Sequence, residues 1–364
     1  MKRILLVSYY YPPYPYGGSL RFKMFFEMLK KNDYDVRLVT SGDKDYYDSE
    51  SKILYIKDSF RRERIDMRGS ILRALNPLPD TMLLWSKNAV RAMGREYDAL
   101  DSIIITAPPF SLPLLLASRF SKEKLSKVVL DIRDLLYDGA LRDYRLLYPK
   151  LADRYFEKLI FSKFTRFTTN VENHCRIIKK RYDIEAKLVM NSSDDYTPKL
   201  MELKHPAFVY AGKIDKLRFN KEFFKGFEIY SEKNPGFLYI AGEDKSNLLP
   251  KQNPRIIYLG QIARERAEDL IYSSDACVMM HDFNIRDRES VFSYKITDYS
   301  KHKKPVIYSG PVTAASKFID SEHIGITINM REPRLIAEAL KNILSFKPND
   351  VSRIFKSSFE EIIS

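Results

Sequence analysis

Short apolar segments alternate with helical patterns along most of this 364-residue chain, and this alternation limits the fold more than any other feature. Such alternation is typical of parallel strands connected by crossover helices. The chain is too long for one ordinary core, so we expect two α/β domains. The predicted strands are Arg3–Ser8, Asp35–Thr40, Ser102–Thr106, Val128–Ile132, Phe167–Thr169 and Lys187–Met190 in the first half, then Phe208–Ala211, Phe237–Ala241, Arg255–Leu259, Ala276–Met280 and Pro305–Ser309.

A polar stretch separates the two series of strands. Residues Asn191–Pro206 contain Ser-Ser-Asp-Asp and two prolines, a composition typical of a linker. The sequence therefore predicts two Rossmann-like halves joined near residue 200.

The net charge limits the classes of binding partner, and the cysteine content indicates the cellular compartment. The chain has 61 basic and 48 acidic residues, a formal net charge of +13, which favours nucleic acid, an anionic membrane surface or phosphorylated small molecules. Only Cys175 and Cys277 are present, too few for a disulfide framework, and this indicates a reducing compartment. The first apolar run is too short for a signal peptide, and none approaches the ~20 residues that span a bilayer. We expect a cytoplasmic protein, soluble or peripheral at the inner face of the cell membrane.

The segment after the first strand has the features of an anion site. A Pro/Tyr-rich loop ends in Gly17 and Gly18, and a helical pattern begins at Ser19. Two glycines let the backbone pass close to a ligand, and a helix start directs free N–H groups and a positive dipole end at the same place. A phosphate fits this arrangement. The alternative is an ordinary strand-to-helix turn.

Three cations follow the first strand of the second half. Lys213, Arg218 and Lys221 come just after Phe208–Ala211, where α/β folds bind ligands. Arg binds phosphate oxygens with a bidentate fork, whereas Lys acts as a point charge. The alternative is a solvated basic loop.

A second candidate lies in the segment Glu289–Tyr299. Lys295 and Asp298 are three residues apart on one face of a predicted short helix. An acidic side chain at such a place accepts hydrogen bonds from both ribose hydroxyls. The alternative is a surface ion pair, which stabilises little.

Several familiar catalytic patterns are absent from the sequence. We find no Asp-x-Asp loop, no Cys/His cluster with metal-ligand spacing, no Walker A motif and no Ser-His-Asp pattern. We therefore predict no metal and no cofactor. The five histidines are scattered, and His281, which follows an apolar strand, is expected to be a satisfied near-core residue.

Five segments resemble the retaining glycosyltransferases of family 4, in particular bacterial enzymes that build surface polysaccharides. They are YYPPYPYGGSLR (Tyr10–Arg21), VLDIRDLLYD (Val129–Asp138), YAGKI (Tyr210–Ile214), IIYLGQI with SSDACVMM (Ile256–Met280) and SYKITDYSKHKKPVI (Ser293–Ile307). The resemblance implies an α/β protein of GT-B fold, with two Rossmann-like domains facing a cleft. It implies an N-terminal acceptor domain over 1–198, a C-terminal nucleotide-sugar domain over 207–345, and a final helix within 346–364 that crosses back to the N-terminal domain.

The resemblance also implies roles for particular residues in donor binding. Lys213 matches the first diphosphate-binding cation, and Arg218 or Lys221 supplies the second. Asp298 matches a ribose-binding glutamate but is one methylene shorter, and the first acid of the family's paired-acid motif would fall at Ser290, beside Glu289. The implied donor-binding residues are Gly17, Gly18, Lys213, Arg218, Lys221, Gly260, Glu289, Lys295 and Asp298.

The activity implied is transfer of a hexose, with retention and without metal, from a UDP- or GDP-sugar to a glycan or lipid-linked acceptor. Lys213 would stabilise the leaving diphosphate through preorganised charge. Asp131 and Asp134, at the end of the strand Val128–Ile132, would bind or activate the acceptor hydroxyl. The alternative for these two is an ion-pair cluster with Arg133 that caps the strand.

A basic segment in the first half predicts a membrane contact. Arg61–Leu75 contains Arg61, Arg64, Arg68 and Arg73 with apolar residues on one helical stripe, and we assign these arginines and Arg133 to acceptor or membrane binding. The alternative is a solvated helix.

Two other functions remain open from the sequence. One is a nucleotide-sugar epimerase of GT-B fold, and the other is a nucleic-acid-binding protein. The aromatic residues lie in apolar helices and a Pro/Tyr loop and do not alternate with Arg on a strand platform, so we predict no nucleic-acid partner.

Overall fold

A computed structural model of the chain describes residues 1–14, 17–58, 78–137, 147–192, 196–244, 246–250, 253–285, 288–357 and 362. The chain divides into two compact units. Unit 1 comprises 1–190 with the terminal segment 358–364, and unit 2 comprises 191–357. Each unit contains a parallel sheet with helices, so the predicted α/β class with two domains is confirmed.

Unit 1 is built on a sheet whose described strands follow the order β3-β4-β2-β1-β5-β6-β7-β8. Neighbouring strands are parallel except for the pair β3 and β4. The elements are β1 (Arg3–Ser8), α1 (Gly17–Lys31), β2 (Asp35–Gly42), β3 (Tyr46–Asp48), β4 (Ile53–Lys57), α2 (Leu83–Glu96), β5 (Ser102–Ala107), α3 (Ser111–Arg119), β6 (Val128–Ile132), α4 (Leu147–Lys163), β7 (Arg166–Thr169), α5 (Glu172–Tyr182) and β8 (Lys187–Leu188).

The sheet of unit 1 is covered on both faces, as parallel sheets usually are. Because successive strand side chains point to opposite faces, β1 contributes Leu5 and Val7 to one apolar cluster and Ile4 and Leu6 to the other. The predicted apolar stripe of α1 packs in the second cluster, through Phe22, Phe25, Phe26 and Leu29.

Unit 2 is built on a second sheet, in which the described strands are all parallel and follow the order β11-β10-β9-β12-β13-β14. Its elements are β9 (Ala207–Ala211), α6 (Lys221–Lys233), β10 (Phe237–Ala241), β11 (Ile256–Gly260), α7 (Arg264–Ser273), β12 (Ala276–Met280), α8 (Lys295–Lys301), β13 (Val306–Ser309), α9 (Ala314–Ser321), β14 (Gly325–Ile328), α10 (Pro333–Asn342) and α11 (Ser352–Ser357).

Each sheet reverses its strand order beside its first strand. In unit 1 the strand β1 lies between β2 and β5, and in unit 2 the strand β9 lies between β10 and β12. Connections on either side of such a point leave to opposite faces, and a crevice opens at the carboxyl ends of the strands. The loops after β1, β5, β9 and β12 are therefore where ligands are expected.

The predicted linker Asn191–Pro206 belongs to unit 2. Its described residues form no helix or strand, but their backbone N–H groups are bound by side chains of that unit. Lys199 donates to Asp269 at 2.7 Å, Met201 to Ser273 at 2.7 Å and Lys204 to Tyr239 at 2.8 Å. The division after Met190 thus precedes the polar stretch, because side-chain acceptors fix that stretch to unit 2.

Within 346–364, the region of the predicted final helix, the structure describes residues 346–357 and 362. The described helix α11 covers Ser352–Ser357 and belongs to unit 2, and only the last residues group with unit 1. Ile362 accepts a hydrogen bond from Arg166 at 3.3 Å there. None of the described helices is long and apolar enough to cross a membrane. The predicted membrane segment, including Arg61, Arg64, Arg68 and Arg73, lies outside the described residues.

Candidate functional site

The crevice of unit 2 lies between the ends of β9 and β12. Gly212 directly follows β9, and His281 directly follows β12. The two strands are hydrogen-bonded neighbours, with Phe208 opposite Ala276 and Val209 opposite Cys277. Residues that leave these strand ends therefore share the same edge of the sheet.

Gly212 makes room for a lysine at this edge. Its φ is +146°, and an ideal Cβ on it would fall 2.3 Å from Cε of Lys295, so a larger residue would strain the backbone and displace the end of the lysine side chain. The Nζ atom of Lys295 lies 3.6 Å from the centre of the Tyr210 ring, a cation–π contact. Lys295 begins α8, so the predicted donor-binding lysine is brought against the end of β9.

Two further cations lie in the loop after Gly212. Asp215 pairs with Arg218, and its Oδ2 lies 4.0 Å from Nζ of Lys213. Asp215 Oδ1 also accepts backbone N–H groups of Leu217 and Arg218, each at 3.1 Å, so this carboxylate shapes the turn that presents the cations. One carboxylate beside three cations leaves the cluster electropositive.

The charges in this cluster act on one another. Burial lowers the pKa of Lys295 well below its usual value, and the nearby Arg218 lowers it further, against the opposing effect of Asp215. Burial, with the charges of Lys295 and Arg218, lowers the pKa of His281 to about 3. An anion bound beside Lys295 would favour the charged form of this lysine.

His281 differs from the satisfied histidine expected from the sequence. It is buried, as predicted, but its Nδ1 has no hydrogen-bond partner among the described residues. Its backbone O accepts from Asn220 Nδ2 at 3.1 Å. A neutral imidazole with an unpaired ring nitrogen thus borders the cationic cluster.

Asn220 fixes the start of α6 to this edge. Its Oδ1 caps the helix by accepting N–H groups of Glu222 and Phe223 at 3.0 and 3.2 Å. Its Nδ2 donates to the carbonyls of His281, just after β12, and of Ser309, the last residue of β13, both at 3.1 Å. The sequence shows an asparagine at the N-cap position before an apolar helix. The hydrogen bonds of its Nδ2 to His281 and Ser309 could not be predicted, because they depend on the order of the strands in the sheet.

Lys221 and Gly260 are placed at the margin of the cluster. The Lys221 side chain is 65% exposed and its Nζ lies 3.9 Å from Glu222. Gly260, with φ of +67°, ends β11 and accepts the N–H of Gly242 at 2.7 Å. Of the two candidates for a second cation, Arg218 is the one whose charge reaches Lys295 and His281.

The two acidic candidates have protein partners in the structure. Asp298 is buried and receives two hydrogen bonds from Arg264, at 2.7 and 2.5 Å, so the alternative of a surface ion pair is wrong. Glu289 pairs with Lys317 of α9 at 2.7 Å. A ribose at Asp298 would have to compete with the Arg264 guanidinium.

The N-terminal glycines of unit 1 are approached by an arginine. Helix α1 begins at Gly17, two residues before the predicted start, and an ideal Cβ on Gly18 would fall 1.4 Å from Nη1 of Arg133. Arg133 is half-buried and donates to Thr106 Oγ1 at 3.1 Å and to the Pro108 carbonyl at 2.9 Å, at the end of β5. A cation beside a helix N-terminus leaves this crevice electropositive.

The two aspartates at the carboxyl end of β6, Asp131 within the strand and Asp134 just after it, have different surroundings. Asp131 is fully buried and accepts two hydrogen bonds from Arg21, at 2.9 and 2.6 Å, and one from Thr168 at 2.7 Å. These bonds use both carboxylate oxygens and leave no exposed surface for an acceptor hydroxyl, unlike the predicted catalytic role. The partner in its ion pair is Arg21, not the expected Arg133. Asp134 is half-buried beside Arg133 and His174.

No group of three or more His, Cys, Asp or Glu side chains is placed to hold a metal ion within the part of the chain that the structure describes.

Comparisons with known proteins address the fold. No protein-family model matches the sequence, and no curated protein matches it significantly. Solved structures match nearly the whole chain. Sucrose-phosphate synthase from Thermosynechococcus elongatus is 14% identical with a TM-score of 0.65, over 100% of this chain and 94% of that one.

Two other solved structures are similar over nearly the whole chain. WaaG, a glycosyltransferase involved in lipopolysaccharide biosynthesis, is 14% identical with a TM-score of 0.59, over 99% of this chain and 94% of that one. A trehalose-6-phosphate protein from E. coli, bound with UDP-2-fluoro glucose, is 11% identical with a TM-score of 0.58, over 100% and 95% of the two chains. The chain therefore has the GT-B glycosyltransferase fold, and the predicted fold is confirmed.

Proposed function

We propose that the protein is a retaining, metal-independent glycosyltransferase that uses a UDP- or GDP-sugar as donor and a glycan or lipid-linked acceptor in polysaccharide biosynthesis. The observation that carries the proposal is the cluster of Lys213, Arg218 and Lys295 around Gly212, at the strand-order reversal of unit 2. A compact group of cations with one carboxylate suits a diphosphate better than a single neutral sugar.

The chemistry of transfer explains why the cations are needed. Cleavage of the bond between the sugar and the diphosphate places negative charge on the leaving group. Lys213, Arg218 and Lys295 stabilise that charge where water is partly excluded, and each such donor typically contributes about 10²–10³ in rate. In a retaining reaction on one face of the sugar, the leaving phosphate oxygen takes the proton of the acceptor hydroxyl, so no protein nucleophile is required.

The similar structures support the identity of the substrates. The E. coli neighbour was solved with UDP-2-fluoro glucose, which supports a UDP-sugar donor. WaaG is involved in lipopolysaccharide biosynthesis, which supports a saccharide acceptor. On the acceptor side, Arg133 and Asp134 at the crevice of unit 1 are the residues that we assign to the acceptor.

A panel of nucleotide sugars tests the proposal. Binding and slow hydrolysis of UDP-, GDP- and other nucleotide sugars would be measured for the wild type, Lys213→Ala, Arg218→Gln and Lys221→Gln. We expect kcat/KM to fall about 10²- to 10³-fold in Lys213→Ala and Arg218→Gln, and less in Lys221→Gln, whose side chain points to solvent.

Lys216→Gln is the matched control, because Lys216 is an exposed lysine in the same loop. Wild-type turnover in both Lys213→Ala and Arg218→Gln would show that this cluster is not part of the donor site. Isomerisation of the donor sugar without transfer would point to an epimerase, and stabilisation by oligonucleotides alone would point to nucleic-acid binding.

A further inference from the structure

Arg264, the first residue of α7, binds two carboxylates at once. Its Nη1 donates to one oxygen of Asp298 at 2.7 Å and its Nη2 donates to the other at 2.5 Å, a bidentate pair that uses both oxygens. The same Nη2 also pairs with Glu268, one turn further along α7. Only 4% of the surface of Asp298 is exposed. The arginine therefore covers the carboxylate that the sequence predicts for a ribose.

Glu268 holds Arg264 in this position from the other side. It is fully buried, and it pairs with His302 and with Nζ of Lys301 at 3.4 Å as well as with the arginine. A buried carboxylate that loses one of its cations is strongly destabilised. Burial alone would lower the pKa of Arg264, but the charges of Asp298 and Glu268 raise it above its usual value. The guanidinium is thus fixed between two carboxylates and stays charged.

The covered carboxylate lies on the same helix as a lysine of the cation cluster. Lys295 begins α8, and Asp298 follows three residues later on the same face, about 5 Å along the helix axis. Tyr299 fixes α8 to the sheet, because its hydroxyl donates to the carbonyl of Val278 at 3.1 Å and accepts the N–H of Ala211 at 3.3 Å. A ribose joined to a diphosphate at Lys295 is within reach of this level of the helix.

Selection for ribose requires a group that binds the 2′ hydroxyl. A carboxylate does so by accepting hydrogen bonds from the ribose hydroxyls. At Asp298 those bonds would replace a bidentate charged pair, which is the stronger interaction. We infer that Arg264 removes selection for ribose, so that the protein takes 2′-deoxyribonucleoside diphosphate sugars as readily as ribonucleoside diphosphate sugars. The inference rests on the proposed function, because it requires a diphosphate at the cation cluster.

Calorimetric titration with UDP and 2′-deoxy-UDP tests the inference, because these nucleotides differ only in the 2′ hydroxyl. The wild type should bind both with Kd values equal to within about twofold. Arg264→Met uncovers the carboxylate of Asp298, so this variant should bind UDP about tenfold more tightly than 2′-deoxy-UDP through the added hydrogen bond to a charged group. The double variant Arg264→Met with Asp298→Ala should lose this preference, since the acceptor is gone.

Two further variants control for charge and for the diphosphate. Arg266→Met is the matched control, because Arg266 is an exposed arginine of the same helix, and it should bind both nucleotides as the wild type does. Lys213→Ala should weaken both nucleotides by the same factor, since the diphosphate is common to them.

Arg264→Lys keeps the test decisive if Arg264→Met does not fold. A lysine retains the charge beside Asp298 and Glu268, but its single ammonium group lacks the fork that binds both carboxylate oxygens. This variant should show a preference for UDP between those of the wild type and Arg264→Met.

Two results would overturn the inference while the proposed function stands. In one, the wild type binds UDP about tenfold more tightly than 2′-deoxy-UDP, which is the selectivity expected of an accessible carboxylate. In the other, Arg264→Met and Arg264→Lys bind the two nucleotides equally, which would show that Asp298 does not face the ribose. A wild type that binds neither nucleotide would contradict the proposed function itself, and this inference with it.

Discussion

Lys295 is a buried lysine of the proposed donor site, and its protonation depends on the charges around it. Its ammonium group lies on the Tyr210 ring and beside Gly212, and its pKa is held well below the usual value by burial and by Arg218. Asp215 opposes this shift, and Lys295 in turn helps to lower the pKa of its neighbour His281. An added diphosphate would reverse the balance of charges around Lys295. Donor binding and protonation of this side chain are therefore linked.

This linkage predicts proton uptake when UDP binds. The anion raises the pKa of Lys295, so at pH values between the unliganded and the liganded pKa the complex binds more protons than the free protein. The affinity therefore falls as the pH rises through that window. Calorimetric titrations with UDP in two buffers of different ionisation enthalpy should give different heats. In Lys295→Met the difference should disappear, while equal heats in the wild type would contradict the linkage.

The same depressed pKa affects stability without ligand. A lysine whose pKa is lower in the folded than in the unfolded state binds fewer protons when folded. The free energy of unfolding therefore rises with pH between the folded-state pKa and the unfolded-state pKa, which is about 10.4. Lys295→Met should lack this slope.

Helix α1 and strand β6 are joined by a buried ion pair. Arg21 of α1 donates twice to Asp131 of β6, and its Nη1 donates to the carbonyl of Val189 at 2.7 Å. Both side chains are almost without solvent contact, at 1% and 0% exposure. The pair therefore sets the position of the helix whose N-terminus lies beside Arg133.

Removal of one partner tests whether Asp131 is structural. Asp131→Ala would leave the Arg21 charge buried without its carboxylate, and we expect the free energy of unfolding to fall by about 3–5 kcal/mol. Urea unfolding followed by fluorescence measures this change. Asp134→Ala, at the same strand end but half-buried, is the control and should cost much less. Wild-type stability with lost turnover in Asp131→Ala would instead support the predicted role with the acceptor.

Most strands of both sheets could be predicted because apolar runs define them. Arg3–Ser8, Val128–Ile132, Phe237–Ala241 and Ala276–Met280 have the predicted bounds. The strands β3, β4 and β14 were not predicted, because Tyr46–Asp48 is polar and exposed and the other two are short and only partly buried. Short edge strands depend on their neighbours for pairing, and a local pattern does not show those neighbours.

The site could be predicted only in part, for a related reason. The cations after β9 and the lysine that begins α8 are visible as motifs. The pairs Arg21 with Asp131 and Arg264 with Asp298 join residues 110 and 34 positions apart, and no local spacing indicates them. Both aspartates therefore look available in the sequence, whereas the fold gives each an arginine. His281 shows the converse, since only the structure reveals its unpaired nitrogen.

Each unit has its own core and its own strand-order reversal, so ligand binding can be assigned to one unit at a time. The interactions of Lys213, Arg218, Lys295 and His281 described here all lie within unit 2. A nucleotide without its sugar should therefore affect unit 2 alone.

Hydrogen exchange on the full chain tests this assignment. With saturating UDP we expect slower exchange in peptides covering 207–221 and 276–299, because bound phosphate orders the loops after β9 and β12. Peptides from α4 and β6 should not change and serve as the internal control. Protection confined to unit 1 would contradict the assignment of the nucleotide to unit 2. Added protection at Gly17–Lys31 with the complete nucleotide sugar would support the predicted part of Gly17 and Gly18 in sugar binding.

The hydrogen bonds of Asn220 allow its partner residues to change during evolution without a change in the fold. Its Nδ2 binds main-chain oxygens of residues 281 and 309, and its Oδ1 binds main-chain N–H groups at the start of α6. Main-chain atoms are the same whatever side chain a position carries. Position 220 is thus restricted to a short amide, while the residues it tethers are left to vary. Sequence drift can consequently alter the ligand-facing side chains of this edge without moving the strands that present them.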